Sequence, residues 1–246
     1  MHVSIVVPCY NEESSLSLLG ERLGRTLELM GADTNVVFVD DGSTDATLAG
    51  LTELAKTLPG SRVVAHASNQ GLGTALRTGM AAAHGDVIVT MDSDCTYDPL
   101  EIPGLVEKLD VADVVLGSPY HPAGGTDNVR PHRLALSMTL SGLYRRVLRR
   151  PDLHTFTSMF RAYSRDAAAA ASSQANDYLA LTESLVSLID GGYRIVEYPT
   201  VLHVRVEGVS KMRVLRMVRR HACLVLRLAL RRPVPQPAAQ SGGSVT

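Results

Sequence analysis

Residues 87–94 read Val-Ile-Val-Thr-Met-Asp-Ser-Asp: an apolar, largely β-branched run that stops on two carboxylates one residue apart. A run of this length without polar alternation suits a strand buried on both faces, as in a covered parallel sheet. Working outward, the same syntax recurs. Val3–Val7 is a short β-branched run that Pro8 should end, followed by Cys-Tyr-Asn-Glu-Glu; Val36–Val39 runs into Asp-Asp-Gly-Ser-Thr-Asp. Arg62–Ala65 and Val114–Leu116 are further strand candidates. Between them Glu12–Met30 carries Leu16, Leu19, Leu23 and Leu27 at helical spacing, a second helix capped by Thr44 or Asp45 runs to Leu58, and Gly73–Ala83 is a helix of small residues. Strands alternating with helices predict an α/β fold with a mostly parallel central sheet. In open sheets of this kind ligands sit beyond the carboxyl ends of the strands, where Pro8–Glu12, Asp40–Ser43 and Asp92–Asp94 all fall.

Those three strand ends carry the chemistry. Asp92 and Asp94 can hold one Mg²⁺ or Mn²⁺, and a metal there can hold the oxygens of a diphosphate as negative charge builds on it. Alone, two Asp residues in this spacing are as readily a solvated turn with a helix cap; their place beside two other polar strand ends favours the metal. Asp41 can accept hydrogen bonds from a base or a ribose, and Gly42 permits a tight turn. Asn69-Gln70-Gly71-Leu72-Gly73 lacks the spacing of a dinucleotide fingerprint or a P-loop, so Gly71 and Gly73 are assigned to a tight turn and close packing.

The 246 residues suffice for one large domain with a short appendage, and 45% hydrophobic against 20% charged residues suits a globular protein with a sizeable core. Charge is divided unevenly. Residues 1–120 hold 6 Lys+Arg against 17 Asp+Glu, and residues 121–246 hold 18 against 8. An acidic first half without stacking aromatics argues against nucleic acid as a partner. Three scattered cysteines without a paired spacing fit a reducing, cytoplasmic setting rather than a disulfide framework. The N-terminus lacks the basic region of a signal peptide, and no stretch is apolar for long enough to span a bilayer; the candidate at Cys223–Leu230 is short and broken by Arg227.

In the second half, residues 121–132 read as a long loop, Arg133–Arg149 as a helix, Phe156–Tyr163 as a returning strand, Leu179–Asp190 as a helix and Tyr193–Glu197 as a strand. Residues 211–232 form a basic, amphipathic pattern without acids. Arg213, Arg216, Arg220, Arg227 and Arg231 make one stripe, and Leu215, Val218, Ala222, Val225 and Ala229 the neighbouring face. Such a helix suits an anionic membrane surface, or packing on the domain or on a second copy. Residues 233–246, rich in Pro, Gln, Gly and Ser, are expected to be disordered. His154 and His203 are cleft-lining candidates, although a structural histidine is the commoner case.

Taken together and in this order, PCYNEE, VDDGSTD, NQGLGTALRTGM, MDSD and LGSPY closely resemble family 2 glycosyltransferases, over residues 3–120. Arg133-x-x-x-Ser137, TSMFRAYSR at 157–165, GYRIVEYP at 192–199 and Arg205-x-x-Gly208-x-Ser210-Lys211 resemble the polyprenyl-phosphate (dolichyl-phosphate mannose synthase) branch. The resemblance implies the GT-A fold, with a catalytic domain over 1–210 divided into a nucleotide-sugar part (1–120) and an acceptor part (121–210). It also implies inversion at the anomeric carbon, a divalent metal, and a GDP- or UDP-linked hexose, mannose in the first instance, passed to a lipid phosphate. By position Pro8, Tyr10, Glu12 and Asp41 would face the nucleoside, and Asp92 and Asp94 the metal diphosphate. Arg133, Ser137, Arg205 and Lys211 would gather the acceptor phosphate and donor diphosphate, with Asp94, Arg133, Arg205 and Lys211 closest to the chemistry. A phosphate acceptor is already ionised, so cations that hold two anions together matter more than a strong base.

Three positions depart from the family pattern: Pro119 stands where GSR would place an arginine, Thr155 where an aspartate begins D-x-x-S-G-F, and Thr96 where a glutamine is common. Readings on other acceptors, such as a small metabolite or another lipid, remain alongside. A sugar nucleotidyltransferase would need a Gly-rich basic loop after the first strand, and an inactive binding protein would not need both acids of the pair.

Overall fold

Hydrophobic alternation in the β-branched runs is what sorts the chain into layers. The computed structural model describes residues 1–31, 33–129, 131–204 and 214–231, and leaves aside the side chains of residues 132, 133 and 214–216. Five parallel-sheet strands come first: β1 (Val3–Cys9), β2 (Thr34–Asp40), β3 (Arg62–Ala65), β4 (Val87–Thr90) and β5 (Val114–Ser118). With β7 (Arg161–Ser164) and β8 (Ile195–Pro199) they form one sheet in the order β3-β2-β1-β4-β7-β5-β8. Only β7 runs antiparallel, between β4 and β5. Along β1, Ile5 and Val7 point into a layer with Leu19, Leu23 and Leu27 of α1 (Leu16–Met30), Leu51 of α2 (Thr47–Thr57) and Ile102 and Leu105 of α4 (Ile102–Glu107). Val6 points the other way, to Val37, Ile88 and Ala83 at the end of α3 (Leu72–Ala82). This is the strand alternation of a sheet covered on both faces.

Pro8 does not end β1, as its sequence position suggested; the strand continues to Cys9. Cys9 bonds towards β2, its carbonyl accepting the N–H of Asp41 at 2.8 Å, whereas Val6 bonds towards β4 through the N–H of Met91 at 3.1 Å. Pro8 therefore turns its donorless nitrogen to the β4 side, where pairing has already stopped at Val6–Thr90.

The second half is more subdivided than periodicity suggests. Within the stretch expected to be loop, β6 (Gly125–Asp127) pairs in parallel with β9 (Val201–His203), so that residues 121–132 are partly ordered as a small second sheet. The returning strand begins at Arg161 rather than Phe156, since the ladders to β4 and β5 both start at Arg161. α6 (Arg165–Ala170) follows it, capped by the Ser164 hydroxyl, which accepts the Ala167 N–H at 3.3 Å. α5 (Pro131–Val147) and α7 (Leu179–Asp190) fall where helical spacing puts them.

α8 (Val214–Ala229) packs on the domain. Its buried face is Met217, His221, Leu224 and Leu228, joined in one core with Tyr144 of α5 and Leu185 and Leu188 of α7. The Tyr144 hydroxyl and His221 Nδ1 are 2.8 Å apart, and burial pushes the His221 ring down to about 4, so it stays neutral there. The arginine stripe is divided in use. Arg220 pairs with Asp177, and Arg231 with Asp190 at 3.0 Å, while Arg219 and Arg227 are exposed. Val218, Leu226 and Leu230 remain exposed as well. Arg213 and residues 233–246 lie outside the described residues, and Arg216 outside the described side chains. Among the described residues, no helix is long and apolar enough to cross a membrane.

Candidate active site at the carboxyl edge of the sheet

The parallel strands β1, β2 and β4 end side by side, and the residues that follow each of them wall a single cleft of about 430 Å³. Pro8, Tyr10 and Glu12 come from the end of β1, Asp41 from β2, and Asp92, Ser93 and Asp94 from β4. Asn69 and Gly71 enter before α3 and Leu72 at its first residue, Met159 before β7, Asp177 and Tyr178 before α7, and Met217 from α8. Six residues singled out by sequence are thus gathered from three strand ends. Ser137 lies on α5, where it hydrogen-bonds the half-buried Tyr120. Arg133 is in the first turn of α5, its side chain outside the described set, and Arg205 and Lys211 lie outside the described residues.

The turn after β2 is built as a web. Asn11, at φ 51°, donates its N–H to the Ser43 hydroxyl at 2.9 Å, and its side-chain oxygen accepts the Thr44 N–H at 2.7 Å. The Glu12 N–H donates to Thr47 Oγ1 at 2.7 Å, so the first and second strand ends are stitched together. Thr44 does not cap α2; Asp45 accepts the Thr47 N–H at 3.0 Å, which takes the place of a side-chain cap at Ala46. Gly42 sits at φ +67°, and a Cβ there would lie 2.3 Å from the Ser68 backbone. Gly42→Ala is expected to cost more than about 2 kcal/mol, through left-handed strain and a backbone clash, read as a fall in the urea midpoint.

Asp41 is 3% exposed and its carboxylate is fully engaged. One oxygen accepts from the Gln70 N–H at 2.9 Å and faces His66 Nδ1 at 2.7 Å; the other accepts from the Gly71 N–H at 2.8 Å and the Asn69 amide at 2.9 Å. The structure therefore makes Asp41 the clamp of the Asn69–Gly71 loop, which is a role its sequence position does not reveal. His66 went unnoticed for the same reason: it lies 25 residues away, in no motif, and its Nε2 reaches Thr78 Oγ1 at 3.0 Å. Neighbouring Asp40 is 1% exposed; Oδ2 accepts the Ser43 N–H at 3.1 Å and Oδ1 has no partner among the described residues. Gly71 and Gly73 serve close packing, as expected: a Cβ on either would meet the backbone of Asn176 or Ala175 at 2.2–2.3 Å.

Asp94 Oδ1 accepts the Thr96 N–H at 3.2 Å. Behind the pair, burial first and the Asp94 charge second push the Cys95 thiol up to about 12, so it stays protonated beside the carboxylates. Tyr97 stacks on Phe160 at 5.3 Å, is hydrogen-bonded to Ser158, and is pushed well above the usual phenol range, chiefly by burial. Arg161, fully buried on β7, donates to the carbonyls of Leu181 and Phe156 at 2.9 and 3.2 Å. For a metal the donor set is two carboxylates, all hard oxygen. No cluster of three or more His, Cys, Asp or Glu among the described residues could hold an ion by protein ligands alone. That composition fits Mg²⁺ or Mn²⁺ with coordination completed by a bound diphosphate and water.

A seven-stranded sheet of this order with an acidic pair at the end of β4 is the architecture of a GT-A glycosyltransferase. The chain belongs to glycosyl transferase family 2, whose family model matches residues 4–170, and it is a glycosyltransferase. It is 34% identical over 216 residues to the polyprenol monophosphomannose synthase of Mycolicibacterium smegmatis, covering 85% of this chain and 80% of that one. It is 31% identical to the dolichol-phosphate mannosyltransferase of Pyrococcus furiosus, over 87% of this chain but only 60% of that relative. Among solved structures it is similar to glucosyl-3-phosphoglycerate synthase of Mycobacterium tuberculosis with Mn²⁺, UDP and phosphoglyceric acid. The TM-score there is 0.68 at 23% identity, covering 94% of this chain and 80% of the other, a likeness of fold.

Proposed function

We propose that the protein transfers a hexose, mannose in the first instance, from a GDP- or UDP-sugar to a polyprenyl phosphate, with inversion at the anomeric carbon. The carrying observation is the cleft that gathers Pro8, Tyr10, Glu12, Asp41, Asp92 and Asp94 at one sheet edge. Asp92 and Asp94 would hold Mg²⁺ or Mn²⁺, which when bound neutralises charge on the departing diphosphate. Pro8, Tyr10 and Glu12 would line the nucleoside, with the Asp41-clamped loop beside them. Ser137, with Arg133, Arg205 and Lys211 by position, would gather the acceptor phosphate near the donor diphosphate. Residues 1–120 would then serve the donor and 121–210 the acceptor. The names of the relatives, synthases and transferases acting on polyprenol and dolichol phosphates, support the acceptor class. The exposed Val218, Leu226 and Leu230 of α8, flanked by Arg219 and Arg227, suit a peripheral contact with an anionic membrane that presents such an acceptor.

A screen of GDP- and UDP-sugars with and without polyprenyl phosphate tests this. The expected result is slow hydrolysis of one sugar nucleotide that lipid phosphate converts into sugar transfer. Turnover stimulated by a soluble acceptor and never by lipid phosphate would leave the family assignment and remove the acceptor.

A further inference from the structure

Strand order decides which wall of the cleft a donor sugar meets. β2, β1, β4 and β7 stand side by side in that order. A nucleotide sugar with its nucleoside over β2 and β1 and its diphosphate over the β4 acids extends its hexose towards β7. That side of the cleft is lined by Met159, Asp177, Tyr178 and Met217. Thr90 Oγ1 donates to the Met159 carbonyl at 2.6 Å, which ties the segment before β7 to the strand of the acidic pair. Arg161 of β7 donates to the Leu181 carbonyl at 2.9 Å, which ties the first turn of α7 to β7.

Among the described residues on that side, Asp177 is the one carboxylate, and its surroundings hold it still. The residues just before it are anchored to two helices. The Asn176 carbonyl accepts the Gly73 N–H at 2.9 Å, and Arg77 of α3 donates to Asn176 Oδ1 at 2.7 Å and to the Ala175 carbonyl at 2.8 Å. Glu183 of α7 accepts the Ala175 N–H at 3.0 Å. The carboxylate itself is fixed at both oxygens: Oδ1 accepts the Leu179 N–H at 3.1 Å, and Oδ2 meets the Arg220 guanidinium. Arg220 stands on α8 one turn beyond Met217, so the helix that gives the cleft an apolar wall also supplies this pairing. Each carboxylate oxygen has two lone pairs and uses one in these bonds, and the side chain is 30% exposed.

We propose that Asp177 accepts a hydrogen bond from one hydroxyl of the donor hexose and thereby selects the sugar. Arg220 is the positioning residue that holds the carboxylate there. The assignment rests on the sugar-nucleotide donor proposed above. Hexoses differ in the direction each ring hydroxyl takes, so a single fixed acceptor discriminates among them. A bond from a hydroxyl to a carboxylate is charge-assisted and stronger than one between neutral groups. Met159 and Met217 offer only apolar contact, which suits the carbon–hydrogen faces of a sugar and distinguishes them poorly.

The test is kcat/KM for the best of the GDP- and UDP-hexoses and for its 2-, 3-, 4- and 6-deoxy forms. Release of nucleoside diphosphate is measured, which reads transfer and hydrolysis alike. Asp177→Ala is expected to lose about tenfold or more on the parent hexose and under about twofold on one deoxy form. The preference for that one hydroxyl then collapses, while the preferences at the other ring positions persist. Asp177→Asn, which keeps the shape and one acceptor oxygen, should fall between and carries the comparison if the alanine variant does not fold. Arg220→Gln should lower the same preference, and no other, by a smaller factor. An equal loss on every donor, or no loss, would overturn the assignment of Asp177, and an unaltered preference in Arg220→Gln that of Arg220. Failure of the unmodified protein to turn over any sugar nucleotide would instead remove the donor reading, and the proposal with it.

Discussion

Asp94→Ala is expected to lower kcat/KM by about 10²–10³-fold while leaving the fold intact, the order found when one electrostatic stabiliser of a developing charge is removed. The residue lies on the cleft wall at partial exposure, and among its bonds is a 3.2 Å contact to the Thr96 N–H in its own turn. Its loss therefore removes a charge from the cleft more than it removes support from the core. Asp94→Asn, which keeps the shape and one oxygen, should fall between the two. The measurement is steady-state transfer with and without added Mn²⁺, alongside calorimetric titration of nucleoside diphosphate. Mn²⁺-dependent nucleotide binding of unchanged strength in Asp94→Ala would refute the placement of a metal on this pair.

The second large effect is on stability. Asp41→Ala should lower it by about 3 kcal/mol, because the Gln70 and Gly71 N–H groups, the Asn69 amide and the His66 ring all lose their acceptor. Each unpaired buried donor costs about 1–3 kcal/mol, reduced here because the loop borders an open cleft and water can enter. For a chain of this size that corresponds to a melting temperature lower by about 6–10 °C. Nucleotide affinity should fall with it, since the Asn69–Gly71 loop forms part of the same wall. Asp41 acting on the base alone would weaken nucleotide binding without moving the melting temperature, and that pattern would refute the clamp.

Much of the first half, residues 1–120, is legible without coordinates, and the reason is local. An apolar β-branched run can be buried only as a strand, and acids at its end must leave the sheet, so VIVTMDSD, VVFVDD and SIVVPCYNE each announce a strand end and a polar turn. Helices with one apolar face, such as α1 and α7, are equally plain. Pro8 shows the limit of that reasoning. Its effect on β1 depends on which neighbour its nitrogen faces, and that follows from where β4 stops pairing.

The second half yields less, because its elements are short and its contacts span the sheet. β6 and β9 are three residues each and exist through one another, and no three-residue period distinguishes them from loop. The basic stripe of α8 reads as a single charged surface; only its docking on α5 and α7 divides it into arginines that pair with Asp177 and Asp190 and arginines left to solvent. Met138 of α5 is 52% exposed, since the helix buries Ser141 and Tyr144 instead.

By itself, then, the amino-acid order determined the α/β class, the sheet edge at which the polar strand ends gather and the acidic pair that ends β4, because burial and chain reversal act over a few neighbouring residues. Which oxygens of Asp41 are already taken, that His66 stands behind them, and that Glu197 of β8 lies 2.8 Å from the Nδ1 of His154 are decided by tertiary structure alone. Hydrogen bonds between residues 25 to 43 positions apart depend on how layers stack, and no spacing in the chain encodes that.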